Sequence, residues 1–260
     1  MGLAAAKPAA LGPDELLTPV SDEKERLEGI AGIYDAASDF DGVLTRFAFR
    51  FLSPRLSGGR TLEMGCSSGV MTALLIGRVS ALEVVDGSRS YLDQVAERLG
   101  RREAVFHHSL FEDFEPRGGF ADIVMARALE HLEDPGSVLR RVANWLEPGG
   151  TLHVMVPNAL SFHRLIGVAM NILPEPHGAS ERDRMFGHRR VYDPNSLRGE
   201  LERAGFEVLE EGGVFLKFLS NAQMATLDPA LWEALYQVGR SFPRHAAEIY
   251  ARCRARAEPA

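Results

Sequence analysis

An α/β fold with a largely parallel sheet is what this sequence predicts, and three observations predict it. Short apolar runs of strand character alternate with helix-patterned segments from residue 61 to residue 209. The stretch 60–72, Arg-Thr-Leu-Glu-Met-Gly-Cys-Ser-Ser-Gly-Val-Met-Thr, reads as a strand, a glycine-bearing turn and a helix. A second acid, Asp86, closes the next strand 21 residues after Gly65. Such alternation favours parallel strands with right-handed crossovers and a ligand at their carboxyl ends.

The elements follow in chain order. Residues 1–20 are rich in Ala and Pro and read as a flexible segment. A helix is expected from Ser21, with Asp22 as cap and Glu25 three residues later. It carries Leu27, Ile30 and Tyr34 along one face, although Gly29 and Gly32 weaken it. A second helix over 43–52 is ended by Pro54. Strand 61–64 leads through Gly65 and Gly69 to a helix burying Val70, Leu74 and Leu75. Strand 82–86 is followed by Ser88 as a cap, and by a helix burying Tyr91, Leu92, Val95 and Leu99 up to Gly100. Strands are expected over 104–108 and 122–126. Asp134 and Pro135 then start a helix with Val138, Leu139, Val142, Trp145 and Leu146 inside, which Pro148-Gly-Gly stops before strand 151–156.

The alternation breaks at 157–190, where a long insertion of this kind is usually functional. Its apolar stretch 165–172 predicts a packed helix, and the whole reads as a lid over a substrate. Asp193-Pro194 starts a further helix with Leu197, Leu201 and Ala204, ended by Gly205, and strand 206–209 follows. Gly212-Gly213 reads as a hairpin turn into a last strand over 215–219. The tail predicts a helix with Leu231, Leu235 and Val238, which caps the site or forms a homodimer face.

Glu63, the glycine turn and Asp86 point to a nucleoside-containing cofactor. A glycine turn lets backbone approach a ligand, a following helix offers free N–H groups to a carboxylate, and Asp86 stands where a carboxylate can meet ribose hydroxyls. Gly65 and Gly69 are four apart, with Ser67 where a middle glycine would come, which is not the spacing of a dinucleotide site. On these residues the sequence resembles the class I S-adenosylmethionine (SAM) dependent methyltransferases, small-molecule branch, over about 34–217. Leu-Glu-His-Leu-x-Asp-Pro at 129–135 and Leu-x-Pro-Gly-Gly at 146–150 continue the resemblance in the right order.

The resemblance implies a Rossmann-like, mostly parallel seven-stranded sheet of order 3-2-1-4-5-7-6, its last strand antiparallel, with a helical lid. It implies SAM as cofactor, S-adenosylhomocysteine as product, and methyl transfer to an oxygen or nitrogen of a small polar metabolite, in the manner of secondary metabolism. The alternative carried with it is a SAM-binding protein that no longer methylates. The division it implies is a flexible segment 1–20, cap helices 21–58, a cofactor core 59–157, a lid 158–190, the rest of the sheet 191–220 and a helical tail 221–260. Cofactor contacts are expected from Tyr34, Glu63, Gly65, Cys66, Ser67, Gly69, Asp86, Gly87, Ser88, Leu110, Phe111, Glu112, Ala126, Arg127 and His131. Substrate contacts are expected from Tyr34, Asn158, His163, Arg164, His188, Arg189 and Tyr192.

An alcohol or phenol acceptor needs a base near its oxygen, and His188, His163 and His131 are the candidates. For each, a purely structural role stays open: His131 as a loop anchor, His163 as a surface residue, and the arginines around His188 as solvated lid charges. No metal site is expected, because these histidines lack close ligand spacing and only the fold could gather them.

Composition narrows the partners. A net charge of −7, from 29 basic and 36 acidic residues, disfavours a nucleic-acid substrate. The segment Ala-Arg-Ala-Leu at 126–129 also lacks the Asp/Asn-Pro-Pro-aromatic motif of adenine-N6 enzymes. Two cysteines, Cys66 and Cys253, and the lack of a secretory h-region or a membrane-length apolar run predict a cytoplasmic, small-molecule protein.

Overall fold

The structure is a computed structural model and describes residues 23–256. The segment 1–20 expected to be flexible and the expected Asp22 cap lie outside the described residues. Seven strands form one sheet in the order β3-β2-β1-β4-β5-β7-β6, as the resemblance implied. They are β1 (Arg60–Met64), β2 (Ala81–Asp86), β3 (Val105–His108), β4 (Phe120–Ala126), β5 (Leu146–Pro157), β6 (Phe206–Val214) and β7 (Glu248–Ala255). β1 pairs in parallel with β2 and β4, β3 adds to β2 and β5 to β4, while β7 runs antiparallel between β5 and β6.

Successive side chains on a strand point to opposite faces, and the central strands are apolar on both. In β4, Ile123 and Met125 enter one core with Leu62 and Met64 of β1, whereas Val124 enters the other with Val84 of β2. The first core is covered by α5 (Pro135–Trp145) and α8 (Pro194–Arg203), through Val138, Leu139, Val142 and Trp145, and through Leu197 and Leu201. The second is covered by α2 (Phe40–Leu52), α3 (Val70–Leu75), α4 (Arg89–Leu99) and α10 (Pro229–Gly239). An isolated helix of 11 residues such as α5 is marginal in water. Val138, Leu139, Val142 and Trp145, buried at about 1.5–3 kcal/mol each, hold it in place.

The closing strands correct the sequence reading. The Gly212–Gly213 pair is not a hairpin turn: β6 runs straight through it, and 215–219 is not the last strand. That strand is β7, inside the tail expected to be helical. The glycines are needed for space. A Cβ on Gly212 would lie 2.5 Å from the Phe51 ring, and one on Gly213 would lie 2.4 Å from the Pro243 carbonyl oxygen. The turn comes two residues later at Phe215, a fully buried residue with φ of +66°. Such a conformation is uncommon for an aromatic residue and marks a chain held by its surroundings.

The remaining helices cover the carboxyl ends of the strands. They are α1 (Glu23–Ile33), α6 (Phe162–Ala169), α7 (Glu181–Met185) and α9 (Asn221–Met224). Helix α6, in the insertion expected to form a lid, begins and ends three residues earlier than predicted, leaving Met170 and Ile172 exposed. In the tail, α10 lays Trp232 against Phe40, and Tyr236 against Phe47, so this helix closes the second core. No helix among the described residues is long and apolar enough to cross a membrane.

Candidate functional site

A cavity of about 1160 Å3 opens at the carboxyl ends of β1, β2, β4 and β5. This exceeds the ~300–1,000 Å3 typical of a pocket for one drug-sized ligand, which leaves room for two ligands side by side.

One end is built by the turn after β1. Gly65 (φ +83°), Ser67 (φ +46°) and Gly69 (φ +73°) all take left-handed backbone, and the Gly65 N–H donates to the Val85 carbonyl at 2.9 Å. Gly69 is required twice over, because a Cβ there would meet Val95 Cγ2 at 2.6 Å. Asp86 closes β2 and faces the cavity. Its two carboxylate oxygens accept the N–H groups of Cys66 and Ser88, each at 2.8 Å. Burial raises the Asp86 pKa, while those N–H groups oppose the rise. A side chain on Gly87 would collide with Leu27 at 2.4 Å and with Leu110 at 3.0 Å, so this part of the cradle is open only because the residue is glycine. Leu110, Phe111 and Glu112 line the adjoining wall.

Glu63 lies beneath the turn, outside the cavity wall, with neither oxygen hydrogen-bonded. Burial, helped by the charge of Asp86, raises its pKa to about 8. Gly69 also lies behind the wall, where it shapes the turn. The following helix, α3, is only six residues long, so the turn's own N–H groups present more to a ligand than a helix dipole does.

The leading helix α1 lies over this end, with Leu27 and Ile30, and Tyr34 just past its last residue, in the wall. It is docked by a residue that the sequence reading missed. Glu28 accepts from Ser88 Oγ and from the N–H groups of Arg89 and Ser90 at the N-terminus of α4. Tyr34 donates its hydroxyl to Asp41 at 2.8 Å, and its ring lies 4.3 Å from that of Phe186.

The middle of the cavity is an ion-pair network. Arg127 follows β4 with φ of +56°, pairs with Asp41 of α2 at 3.1 Å, and pairs with Glu248 of β7. Asp41 also accepts from Arg182 of the lid at 2.7 Å and from Asn221 at 3.0 Å. Although burial opposes it, the positive charges of Arg127 and Arg182 hold the Asp41 carboxyl far below the usual range. Arg127, read from sequence as a cofactor contact, lines the cavity but directs its charge into this network.

Lys217 adjoins the network, donates to Asn221 Oδ1, and lies in no ion pair among the described residues. Burial lowers its pKa from 10.5 to about 8. Below pH 8 the folded chain therefore carries the full cost of a desolvated ammonium. Between pH 8 and 10.5 the unfolded chain holds a proton that the folded one lacks, so stability rises with pH there. Lys217→Met is expected to stabilise the fold by up to about 3 kcal/mol at neutral pH and to abolish that rise. Urea unfolding at neutral pH and at roughly pH 10 checks both effects.

The cavity wall also holds histidines. His163 of α6 is partly buried, with its Nδ1 enclosed and unpaired, and desolvation, Lys217 and Arg164 push its pKa far down. His188 is held by Asp183, with Nδ1 at 2.9 Å from Oδ1, and its ring stands at 85° to that of His131, 4.8 Å away. Burial, with His188 and Arg26 nearby, lowers His131 to about 3. Glu130, beside His131, is 1% exposed with both oxygens unpaired, and burial raises it to about 7. Ligand atoms of Glu130, His131 and His188 lie within 4.8 Å of one another. The fold thus gathers histidines whose sequence spacing argued against a metal.

Four expected substrate residues are placed otherwise. Asn158 uses its amide on the Arg244 and Ala246 carbonyls and its oxygen on the Leu160 N–H. Arg164 is occupied by Asp183 and by the carbonyls of Pro176 and Gly178, so both residues brace the lid from the cavity's edge. Arg189 lies outside the cavity, bonded to the His131 carbonyl at 3.1 Å and to Glu23 at 3.2 Å. Tyr192 belongs to the first core. Conversely, Asp41, Glu130, Asp183, Lys217 and Glu248 line the cavity and were not singled out. The only signal for Lys217 was a lone cation in an apolar run, and the other four needed long-range contacts to be noticed.

The chain is similar to proteins of known family and fold. The profile of a family described as a methyltransferase domain matches residues 37–211. An uncharacterized protein of Synechococcus sp. is 31% identical over 111 residues, 40% of this chain, and the chain spans only 27% of that protein. A ubiquinone biosynthesis O-methyltransferase of Marinobacter nauticus is 27% identical over 210 residues, covering 74% of this chain and 84% of the relative. The crystal structure of the N-methyltransferase NodS from Bradyrhizobium japonicum, in complex with S-adenosylhomocysteine, superposes with a TM-score of 0.59 at 17% identity, covering 90% of this chain and 99% of that one. At that identity the likeness is one of fold.

Proposed function

The chain belongs to the methyltransferase domain family, and we propose that it moves a methyl group from SAM to an oxygen or nitrogen of a small metabolite. The observation that carries the proposal is one cavity lined both by the Gly65 turn with Asp86 and by the His188–Asp183 pair. SAM supplies a methyl already activated on a sulfonium, so the chain is left with positioning and exclusion of water.

The residues fit that cofactor. In this reading Asp86 accepts from the ribose hydroxyls, Leu110, Phe111 and Glu112 flank the adenine, and the 65–68 turn receives the amino-acid portion. The unpaired carboxylate of Glu63 behind the turn is the kind of orphan that a ligand's ammonium, or a water relayed to it, resolves. Helix α1 and the 158–190 lid cover the pair of ligands. The acceptor's polar end lies by His188, His163 and Lys217. Ile166, Met170, Ile172 and Phe218 form an apolar wall beside it, which suits an acceptor that also carries an apolar portion.

His188 is the oriented proton acceptor for a hydroxyl substrate, because Asp183 fixes Nδ1 and leaves Nε2 free. The relatives named above include an O- and an N-methyltransferase, and an amine acceptor would need no such base. Calorimetric titration with SAM, S-adenosylhomocysteine and NADH tests the cofactor, and binding of the two adenosyl ligands alone is the outcome expected. His188→Asn is expected to lower turnover of a hydroxyl acceptor roughly 10²–10⁴-fold with SAM affinity unchanged. Equal loss of both would mean that the lid had collapsed, and the base role would fall.

A further inference from the structure

We propose that Glu130, His131 and His188 form a binding site for a first-row divalent metal ion in the wall of the cavity. Two of the three ligands arrive together. Glu130 and His131 sit on the single 3-10 turn Leu129–His131 that follows β4. The third comes from the lid, where the Arg189 N–H donates to the Glu130 carbonyl at 2.9 Å and fixes His188 beside that turn. The three side chains bring their ligand atoms within 4.8 Å of one another.

A second, independent observation points to a ligand. Glu130 lines the cavity, is 1% exposed, and neither of its carboxylate oxygens has a hydrogen-bond partner. A buried carboxylate without a partner is costly, and a cation is among the few things that remove the cost.

The surroundings are those of a ligand set. A metal-bound imidazole commonly gives its other nitrogen to a carboxylate, which fixes the ring. His188 does so with Asp183 at 2.9 Å. Asp183 is itself held by the Ser180 N–H at 2.8 Å, the Ser180 hydroxyl at 2.7 Å and Arg164 at 2.9 Å. Two imidazoles and one carboxylate suit Mn, Fe, Co or Zn better than Ca or Mg, which prefer oxygen alone. Such an ion would neutralise Glu130 and polarise a hydroxyl of the acceptor.

Metal binding at these residues does not depend on the methyltransferase reading, although its use in the reaction rests on it. With an ion present, His188 serves as ligand in place of base. The test is a titration of the tag-free, chelator-treated full chain with Co2+, followed by its visible absorption, with S-adenosylhomocysteine affinity measured on the same samples. We expect one Co2+ per chain, at least tenfold weaker binding in Glu130→Gln and in His188→Asn, and no change in His177→Asn, whose ring instead meets Asp193 at 2.8 Å. Absence of Co2+ uptake by the wild-type protein, or equal affinity in all four proteins, overturns the site. If Glu130→Gln fails to fold, His188→Asn and His131→Gln carry the comparison, and unchanged Co2+ affinity in both counts against it. Co2+ binding without S-adenosylhomocysteine binding would remove the methyltransferase reading and leave the metal site standing. The reverse pattern would remove only the metal.

Discussion

Arg127→Leu is expected to destabilise the protein by about 3–5 kcal/mol, because it strips the counter-charge from two buried acids at once. The guanidinium sits between Asp41, with 10% of its side chain exposed, and Glu248, with 3%. Asp41 keeps Arg182, Asn221 and Tyr34 as partners after the change, so Glu248 bears the larger loss. Glu248 opens β7, and the damage should therefore propagate into the closing strand pair. Urea unfolding of Arg127→Leu, Glu248→Leu and the double variant forms a cycle that isolates the pair. The double variant should recover much of the loss, since it removes the unpaired charge together with its partner. If the single Arg127 change costs less than about 1 kcal/mol, the network is a solvated surface feature and the account of it fails.

The second large effect concerns Asp86. Replacing it with alanine should weaken binding of SAM and S-adenosylhomocysteine by roughly 1.5–3 kcal/mol, or about ten- to a hundredfold, the range for hydrogen bonds to a charged acceptor. The carboxylate does two jobs. It holds the Cys66 and Ser88 N–H groups at 2.8 Å and so shapes the cradle, and it presents lone pairs to the cavity. Asparagine is no conservative choice, because its NH2 would face one of those two N–H donors. Asp86→Asn should therefore bind nearly as poorly as Asp86→Ala. Calorimetry on both variants checks this, with thermal unfolding to separate lost affinity from lost fold. Unchanged affinity in either would remove Asp86 from the cofactor site.

What could be read from sequence was what is local. The strand, turn and helix around Gly65 and Gly69, with Asp86 on the next strand, lie within about 25 residues of each other, and their constraints are written into neighbouring positions. The same holds for the start of α5, whose Asp134 cap, Pro135 and buried Val138, Leu139, Val142 and Trp145 are as predicted, although Leu146 and Pro148-Gly-Gly belong to β5 and not to the helix and its stop. The closing strands were misplaced because 215–219 is more apolar than 248–255, while the real cause of the Gly212–Gly213 pair lies at Phe51 and Pro243, remote in sequence. The charged interior of the site was hidden for the same reason. Asp41, Lys217 and Glu248 come from three distant segments, and each looks like an ordinary surface charge until the fold brings them around Arg127. Glu130 lay inside a quoted motif, yet only its burial without a partner distinguishes it. Asn158 and Arg164 line the cavity, but their polar groups are engaged by the Arg244 and Ala246 carbonyls and by Asp183, which their sequence positions do not reveal.

A difference electron-density map from crystals soaked with S-adenosylhomocysteine would decide where the cofactor lies. Density is expected with the ribose against Asp86, the adenine beside Phe111 and the amino-acid portion over the Gly65–Ser67 turn, leaving His188 free for the acceptor. Density at any other place, or none in crystals whose protein binds the ligand in solution, would contradict this placement.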